Sequence, residues 1–364
     1  MNDLIYFSSR TLLQYDPTLK DNHWFNITQA MDWPAHIVSR VHELDTPWSL
    51  AGTQYPIPQL QQVGFDFSEL LDNVAVEFCT QQQLTDNEIY VSWSGGIDST
   101  AVLVSLLKTA SPQIKSRITV LLDYRSKQEN AYFYNKFIKP NFQVVDVNTF
   151  VVSADNYQKI IILDGEGGNQ IFGFKAISWW IYKKQWALLD TAWTKIDDLT
   201  AVIPGINQHG VDLIIESIKH SPVPIVTVFD FIWWANFNFK WDDAMLQKSL
   251  AYTKMLNPLQ SKEFFENRVI RFFAHKDIQI WSMIYKDYRR STSKIMNKQI
   301  VKKYIYDFDK NHLYYAHKQE QGSNADVYSK MAFSILNPIV AIDQNWNKYS
   351  LADKSTRQKI QLML

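Results

Sequence analysis

The chain has 364 residues, 46% of them hydrophobic, which is enough to bury a substantial core in one large domain or two packed ones. Its 37 basic and 37 acidic residues leave no net charge, so the composition does not favour a nucleic-acid partner, although it does not exclude a local basic patch. The single cysteine, Cys79, excludes an intramolecular disulfide and a Cys-x-x-Cys zinc or redox site.

The sequence contains no evident targeting or membrane segment. Its first residues lack a basic stretch followed by an apolar one, and nowhere do about 18 apolar residues follow one another. We therefore expect a cytoplasmic protein without membrane contact. Residues 1–65 show no sustained periodicity, and we predict that they form an appended amino-terminal segment.

The middle of the chain alternates between strand and helix patterns. A helix is predicted from Asp66 to Gln83, where apolar residues recur at helical spacing. Beyond residue 172 the pattern becomes long and helical. Alternating short strands and helices predict an α/β fold, a parallel sheet with helices on both faces, with ligands at the carboxyl ends of the strands. The predicted strands are 88–91, 118–122, 142–147 and 160–163, with helices at 101–107 and 128–137 between them.

A glycine turn follows the first of these strands. Gly95 and Gly96 permit a tight turn, and the next helix directs its unpaired N–H groups at whatever lies in that turn. A plain capped strand-to-helix turn would explain two glycines, but Ser-Gly-Gly-x-Asp-Ser is more specific. It predicts an anion site, with Asp98 available to a phosphate-bound Mg²⁺. The predicted ligand-binding residues of this turn are Ser94, Gly95, Gly96, Asp98, Ser99 and Thr100.

A second glycine loop follows the strand that ends at Leu163. It reads Asp-Gly-Glu-Gly-Gly-Asn-Gln from Asp164 to Gln170, with glycines on both sides of Glu166. On its own this could be a flexible connection, but close backbone approach to a ligand is the alternative, and Gly165 and Gly167 are its candidates. The carboxyl ends of neighbouring parallel strands lie at one edge of the sheet, so the two loops are expected to form one site.

A basic segment lies later in the chain. Lys294 and Lys298, with Lys302 beyond them, recur at a spacing of four and would share one helix face. Without other context a solvated charged face is the usual explanation of such a pattern. Beside two anion-binding loops, these lysines are also candidates for contact with phosphate.

Together these motifs resemble the synthetase domain of asparagine synthetases, within the ATP pyrophosphatase (PP-loop) superfamily. The first loop is similar to the family's pyrophosphate loop, and the second to its Gly-Glu-Gly-x-Asp-Glu-Leu-Phe-Gly-Gly segment. The resemblance covers roughly residues 66–305 and leaves 306–364 as a carboxyl-terminal extension. It implies an adenine nucleotide alpha hydrolase-like fold, ATP and Mg²⁺ as cofactors, and a ligase that adenylates a carboxylate, releases pyrophosphate and passes the acyl group to ammonia or an amine.

The resemblance also implies roles for single residues. Lys294, with Lys298, is similar to the family's Lys-Tyr-x-x-Arg pattern, whose lysine contacts the ATP phosphates, and Glu166 would help to deprotonate the attacking nitrogen. Asn169 falls on an aspartate that binds Mg²⁺ in the family and Gln170 on the next acid, so Mg²⁺ would be held by Asp98 and by the Asn169 amide oxygen.

The resemblance leaves the substrate open. The acid could be a small molecule or a peptide, and a partner protein could supply a substrate. Position 2 is Asn2 rather than a nucleophilic cysteine, and too few residues precede Ser94 for a glutaminase domain, so we expect the protein to use ammonia or an amine directly. Two alternatives remain: a tRNA-modifying enzyme of the same superfamily, and a catalytically degenerate nucleotide-binding protein, which the amides at 169 and 170 favour.

Overall fold

The computed structural model describes residues 5–7, 39–42, 55–173, 177, 180, 183–241, 244–245, 252, 255–256, 258–289, 298–317 and 333–335. Their internal contacts group the chain into two compact units. One comprises Leu60–Ile171 and Ala251–Lys330, and the other Met1–Gln59, Phe172–Leu250 and Met331–Leu364. The units are discontinuous in sequence, whereas the predicted boundaries at 65 and 305 are linear; those boundaries stay predictions.

Among the described residues, seven strands lie in two sheets. They are β1 (Ile5–Phe7), β2 (Glu88–Ser92), β3 (Ile118–Leu122), β4 (Gln143–Asp146), β5 (Ile160–Asp164), β6 (Val269–Arg271) and β7 (Phe333–Ile335). β1 and β7 form an antiparallel pair, while the other five form a parallel sheet in the order β4-β3-β2-β5-β6. The predicted parallel α/β sheet is therefore confirmed, and its four predicted strands lie within one residue of their expected bounds at either end.

Fourteen α-helices are present in the described part of the chain. They are α1 (Phe67–Gln83), α2 (Ile97–Thr109), α3 (Pro112–Lys115), α4 (Tyr124–Glu129), α5 (Ala131–Phe133), α6 (Gly168–Phe172), α7 (Trp186–Asp190), α8 (Gln208–Ile218), α9 (Val228–Phe239), α10 (Pro258–Arg268), α11 (Lys276–Ile284), α12 (Lys286–Arg289), α13 (Gln299–Asp309) and α14 (His312–His317). Each of them is too short or too polar to cross a lipid bilayer.

Local capping explains where two helices begin. Asp66 caps α1 by accepting hydrogen bonds from the backbone N–H groups of Ser68 and Glu69, as its position before a helical pattern predicts. The helix predicted over 128–137 begins earlier, at Tyr124, because Asp123 and Ser126 form a reciprocal capping box. It is then interrupted at Asn130, whose side chain caps the next turn, α5.

Both faces of the parallel sheet are largely buried at its centre, whereas the edge strand β4 is exposed or half-buried. Side chains alternate along each strand, so Tyr90, Leu121, Ile162 and Val269 share one face, where they pack with Phe264 of α10 and other residues. The residues that alternate with them are also fully buried and belong to the opposite face: Ile89, Val91, Val120, Ile161 and Leu163. Covered faces on both sides explain why these strands read as almost continuous apolar stretches.

The strand order places a topological switch point between β2 and β5. From β2 the chain proceeds outward through β3 and β4, and it then returns to build β5 and β6 on the other side. In an open parallel sheet a crevice forms at the carboxyl ends of the two strands where the order reverses. The two glycine loops follow β2 and β5, so both lie at this switch point.

The fifth strand of the sheet, β6, escaped the sequence analysis. It is only three residues long and contains a charged residue, Arg271, that a buried strand would ordinarily lack. Arg271 is opposite Asp164 in the β5–β6 register, and the two fully buried side chains form an ion pair. The pairing explains how the charge is tolerated at the edge of the crevice.

We predict that Arg271→Leu destabilises the protein by about 3–5 kcal/mol, because it leaves the Asp164 carboxylate buried without its counter-ion. The free energy of unfolding in urea measures this. The double variant Asp164→Asn with Arg271→Leu should recover part of the loss, since no lone buried charge then remains. Lys303→Leu, which removes an exposed pair with Asp307, is the control and should change stability little. Equal stability of Arg271→Leu and Lys303→Leu would contradict the prediction.

Candidate functional site

The turn after β2 is held by hydrogen bonds among its own residues. Gly95 has a φ of 75°, and Gly96 caps the amino terminus of α2. The hydroxyl of Ser94 accepts a hydrogen bond from the N–H of Gly96 at 3.3 Å and lies 3.1 Å from the hydroxyl of Ser99. Ser99 also accepts a hydrogen bond from the N–H of Ser94 at 3.1 Å. The turn is therefore preorganised at the positive end of a 13-residue helix.

Thr100, which was predicted to bind the ligand, lies in the core. Its side chain is fully buried, and its hydroxyl accepts a hydrogen bond from the indole N–H of Trp93 at 3.1 Å. Trp93 is itself buried and continues the pairing with β3, since its backbone N–H donates to Leu121. Thr100 thus fixes the base of the turn from the core side of α2, and its role in ligand binding stays a prediction.

Each of the two loops approaches other backbone so closely that glycine is required. A side chain at Gly95 would lie 2.6 Å from the carbonyl oxygen of Ser126 in α4. A side chain at Gly165 would lie 2.8 Å from the backbone nitrogen of Ser99 in α2. Gly167 has a φ of 95° and lies against Phe273 and Ala274. The sequence predicted that these glycines allow the backbone to approach a ligand. In the structure they also allow it to approach other parts of the chain.

The two loops meet at Asp98 and Gly168. A methyl group on Gly168 would occupy the space of the Asp98 carboxylate. The Asp98 Oδ1 atom is buried and has no hydrogen-bond partner among the described residues. The carboxylate is thus held between the start of α2 and the start of α6, and its second oxygen, Oδ2, is available to a cation.

Lys298 supplies that cation. Its Nζ donates to Asp98 Oδ2 at 2.5 Å and to the amide oxygen of Asn169 at 2.7 Å, so one ammonium joins both loops. The Lys298 side chain is only 10% exposed. Its backbone is left-handed, with a φ of 68°, immediately before α13. Lys298, which was predicted to contact phosphate, therefore contacts Asp98 and Asn169, which were predicted to hold Mg²⁺.

These contacts bear on the predicted Mg²⁺ site. Mg²⁺ requires several oxygens at about 2.0–2.1 Å in octahedral geometry, and it usually binds through one or two carboxylates. Here the two predicted ligands, Asp98 and Asn169, provide one carboxylate and one amide, and the ammonium of Lys298 occupies the position between them. As arranged, these residues do not fit a protein-held Mg²⁺.

Glu166 lies on the second loop, half-buried, between the two tightly packed glycines. Its backbone N–H donates to the Asp164 carboxylate at 3.0 Å, and Asp164 is fixed in turn by Arg271. The ion pair at the ends of β5 and β6 therefore orients the loop that carries Glu166. Lys294, the other predicted catalytic residue, lies outside the described residues.

Two contributors to the site escaped the sequence analysis. Arg271 was hidden in a short strand. Tyr314 of α14, from the predicted carboxyl-terminal extension, donates its hydroxyl to the carbonyl oxygen of Gly95 at 2.9 Å. Burial raises the pKa of the Tyr314 hydroxyl well above its usual range, so it stays a donor. A tyrosine at helical spacing gives no sequence signal for this contact.

Lys302 also differs from its expected position on a basic face. It is buried, and its ammonium donates to the carbonyl oxygen of Tyr315 at 2.8 Å. Lys302 thus joins α13 to α14, and the predicted lysine face is not continuous in solvent.

Comparison with known proteins does not name a family. No protein-family model matches the sequence, and no curated protein is significantly similar to it. Function must therefore be inferred from the site itself.

We predict that Gly168→Ala destabilises the protein by about 1–3 kcal/mol, because the new methyl group overlaps the Asp98 carboxylate and forces one loop to shift. Urea unfolding measures the change. Gly64→Ala is a matched control, since a side chain at Gly64 would meet nothing within 4 Å. If the two alanine variants were equally stable, the loops would not be packed as described.

Proposed function

We propose that the protein is an ATP-dependent, AMP-forming carbon–nitrogen ligase similar to the synthetase domain of asparagine synthetases. It would adenylate a carboxylate on a small molecule or a peptide and transfer the acyl group to ammonia or an amine. One observation carries the proposal: two glycine loops that flank the switch point of a parallel sheet are joined by Lys298 through Asp98 and Asn169. The strand order supports an adenine nucleotide alpha hydrolase-like fold for the nucleotide-binding unit.

The first loop is suited to the pyrophosphate portion of ATP. The first N–H groups of a helix have no acceptor within the helix, and the helix dipole favours negative charge there. Ser94 and Ser99 brace the turn, so the backbone at the start of α2 is fixed before a ligand binds. This is the arrangement by which helix termini bind phosphate groups.

The chemical problem is that a carboxylate is a poor electrophile. Transfer of AMP from ATP to the carboxylate oxygen supplies a leaving group, but it requires a carboxylate and a triphosphate to meet. Fixed positive charge stabilises such a transition state more than it stabilises the ground state. We assign this role to Lys294 and to the amino terminus of α2. Mg²⁺ enters this scheme on the phosphates of ATP, as part of the substrate.

The amide-forming step requires a neutral amine. An alkylamine has a pKa near 10.4, so only about one molecule in a thousand or fewer is uncharged at neutral pH. A carboxylate next to the adenylate can take up the proton during attack. Glu166 is our candidate for this base, because its loop is oriented by Asp164 and faces the start of α2 through Gly165.

A nucleotide-binding protein without catalysis is the second candidate. The amides Asn169 and Gln170 favour it, because they occur where the resembled family has acids. Gln170 is buried, at 3% exposure, and so cannot act as a solvent-facing ligand in its present position. This candidate predicts that ATP binds and is not consumed.

Release of pyrophosphate from ATP distinguishes the candidates. We expect release that depends on an added carboxylate, measured as ATP–pyrophosphate exchange across a panel of amino acids and short peptides, each with and without ammonia or amines. Release that depends on RNA would favour the tRNA-modifying alternative. ATP binding by calorimetry with no release under any condition would reject the ligase in favour of the non-catalytic candidate.

Glu166→Gln separates the two half-reactions. We expect ATP–pyrophosphate exchange to remain near the wild-type rate, because adenylation needs no base, while amide formation slows roughly 10²- to 10⁴-fold. Quenched-flow measurement of both steps tests this. Glu69→Gln, an exposed substitution on α1, should leave both rates unchanged. Equal loss of both steps in Glu166→Gln would argue against the assigned role.

A further inference from the structure

Asp98, Asn169 and Lys298 form a charge-balanced group at the junction of the two loops. Asp98 contributes one negative charge, Asn169 none, and Lys298 one positive charge, and the ammonium lies within 2.5 and 2.7 Å of the two oxygens. The Lys298 side chain is 10% exposed and that of Asp98 is 20% exposed, so solvent screens the pair poorly. A divalent ion between the same oxygens would have to displace the ammonium and would leave excess positive charge.

The position of the ammonium is fixed from both sides. On one side, the backbone of Gly168 lies against the Asp98 carboxylate, so closely that any side chain at position 168 would overlap it. On the other side, Lys298 precedes α13, which is anchored by a hydrogen bond of 2.9 Å between the hydroxyls of Tyr304 and Ser105. Val301 and Ile305 on the same helix are buried. The lysine therefore reaches the loops from a rigid base.

We propose that the Lys298 ammonium takes the place of a divalent cation between the two glycine loops, so that the protein closes them with its own positive charge. The amide at Asn169 is consistent with this, because it leaves a single carboxylate that a single positive charge balances. Divalent metal would then reach the site only with the nucleotide. The inference rests on the proposed function only in taking this to be the nucleotide site. Whether the ammonium keeps a divalent cation out can be tested without nucleotide.

The test is binding of Mn²⁺ alone, followed by electron paramagnetic resonance of the free ion. We expect the wild-type protein to bind little Mn²⁺ at millimolar concentration. The double variant Lys298→Met with Asn169→Asp removes the ammonium and restores a second carboxylate, and it should bind Mn²⁺ at least tenfold more tightly, with a matching rise in Tm. Lys303→Met, on the same helix, is the control and should behave like the wild type.

Two results would overturn the proposal. One is Mn²⁺ binding by the wild type as tight as that of the double variant; the other is a folded double variant, by circular dichroism, that gains no affinity. If the double variant does not fold, the wild type and Asp98→Asn are compared instead. Mn²⁺ binding by the wild type that Asp98→Asn abolishes would contradict the proposal. Absence of Mn²⁺ binding by the wild type would support it. Because no ATP is present, failure of the ligase hypothesis would leave this outcome unaffected.

Discussion

The close approach of two backbone loops at one edge of the parallel sheet is the constraint on which the site depends. Gly165 lies against the first turn of α2, and Gly168 lies against the Asp98 carboxylate. Neither contact could form with a side chain present, because the interior of a protein has no spare volume at such distances. The start of α2 and the start of α6 are therefore held at fixed separation before any ligand arrives. Preorganisation of this kind is what allows backbone dipoles to act on developing charge without first reorganising.

Two carboxylates near this edge, Asp164 and Asp98, have cationic partners from the later part of the sequence. Asp164, at the end of β5, is paired with Arg271 of β6, and Asp98, in α2, is paired with Lys298 before α13. Residues 251–330 thus complete a sheet and a charge balance that 60–171 begin, and both segments belong to one compact unit. Tyr314, also from the later segment, adds a neutral hydrogen bond by donating its hydroxyl to the carbonyl oxygen of Gly95. The early segment alone would leave the Asp164 carboxylate buried at the end of β5 without a counter-ion.

Sequence reasoning recovered the elements whose signals are local. The apolar stretches of β2, β3, β4 and β5 and the cap of α1 are visible because hydrophobic alternation and capping depend on near neighbours. β6 is three residues long and contains Arg271, so its strand character depends on a partner 107 positions away. The contacts of Lys298 with the two loops have the same origin: the spacing of the lysines suggested a phosphate-binding face, but only tertiary packing brings the ammonium to Asp98. Gly95, Gly165 and Gly167 were predicted to contact a ligand, but they also pack against the chain's own residues. A single sequence cannot distinguish these two reasons for a glycine.

The charge balance has a consequence for any nucleotide that enters. Since Lys298 is engaged by Asp98 and Arg271 by Asp164, neither described cation is available to a triphosphate unless its carboxylate partner is given up. The nucleotide must then be neutralised by the α2 amino terminus, by cations it carries, and by further basic residues such as Lys294. A helix terminus contributes roughly half an elementary charge, which is too little for a triphosphate alone. In the ligase that we propose, Mg²⁺ bound to ATP would supply part of this neutralisation, and Lys294 is our candidate for another part.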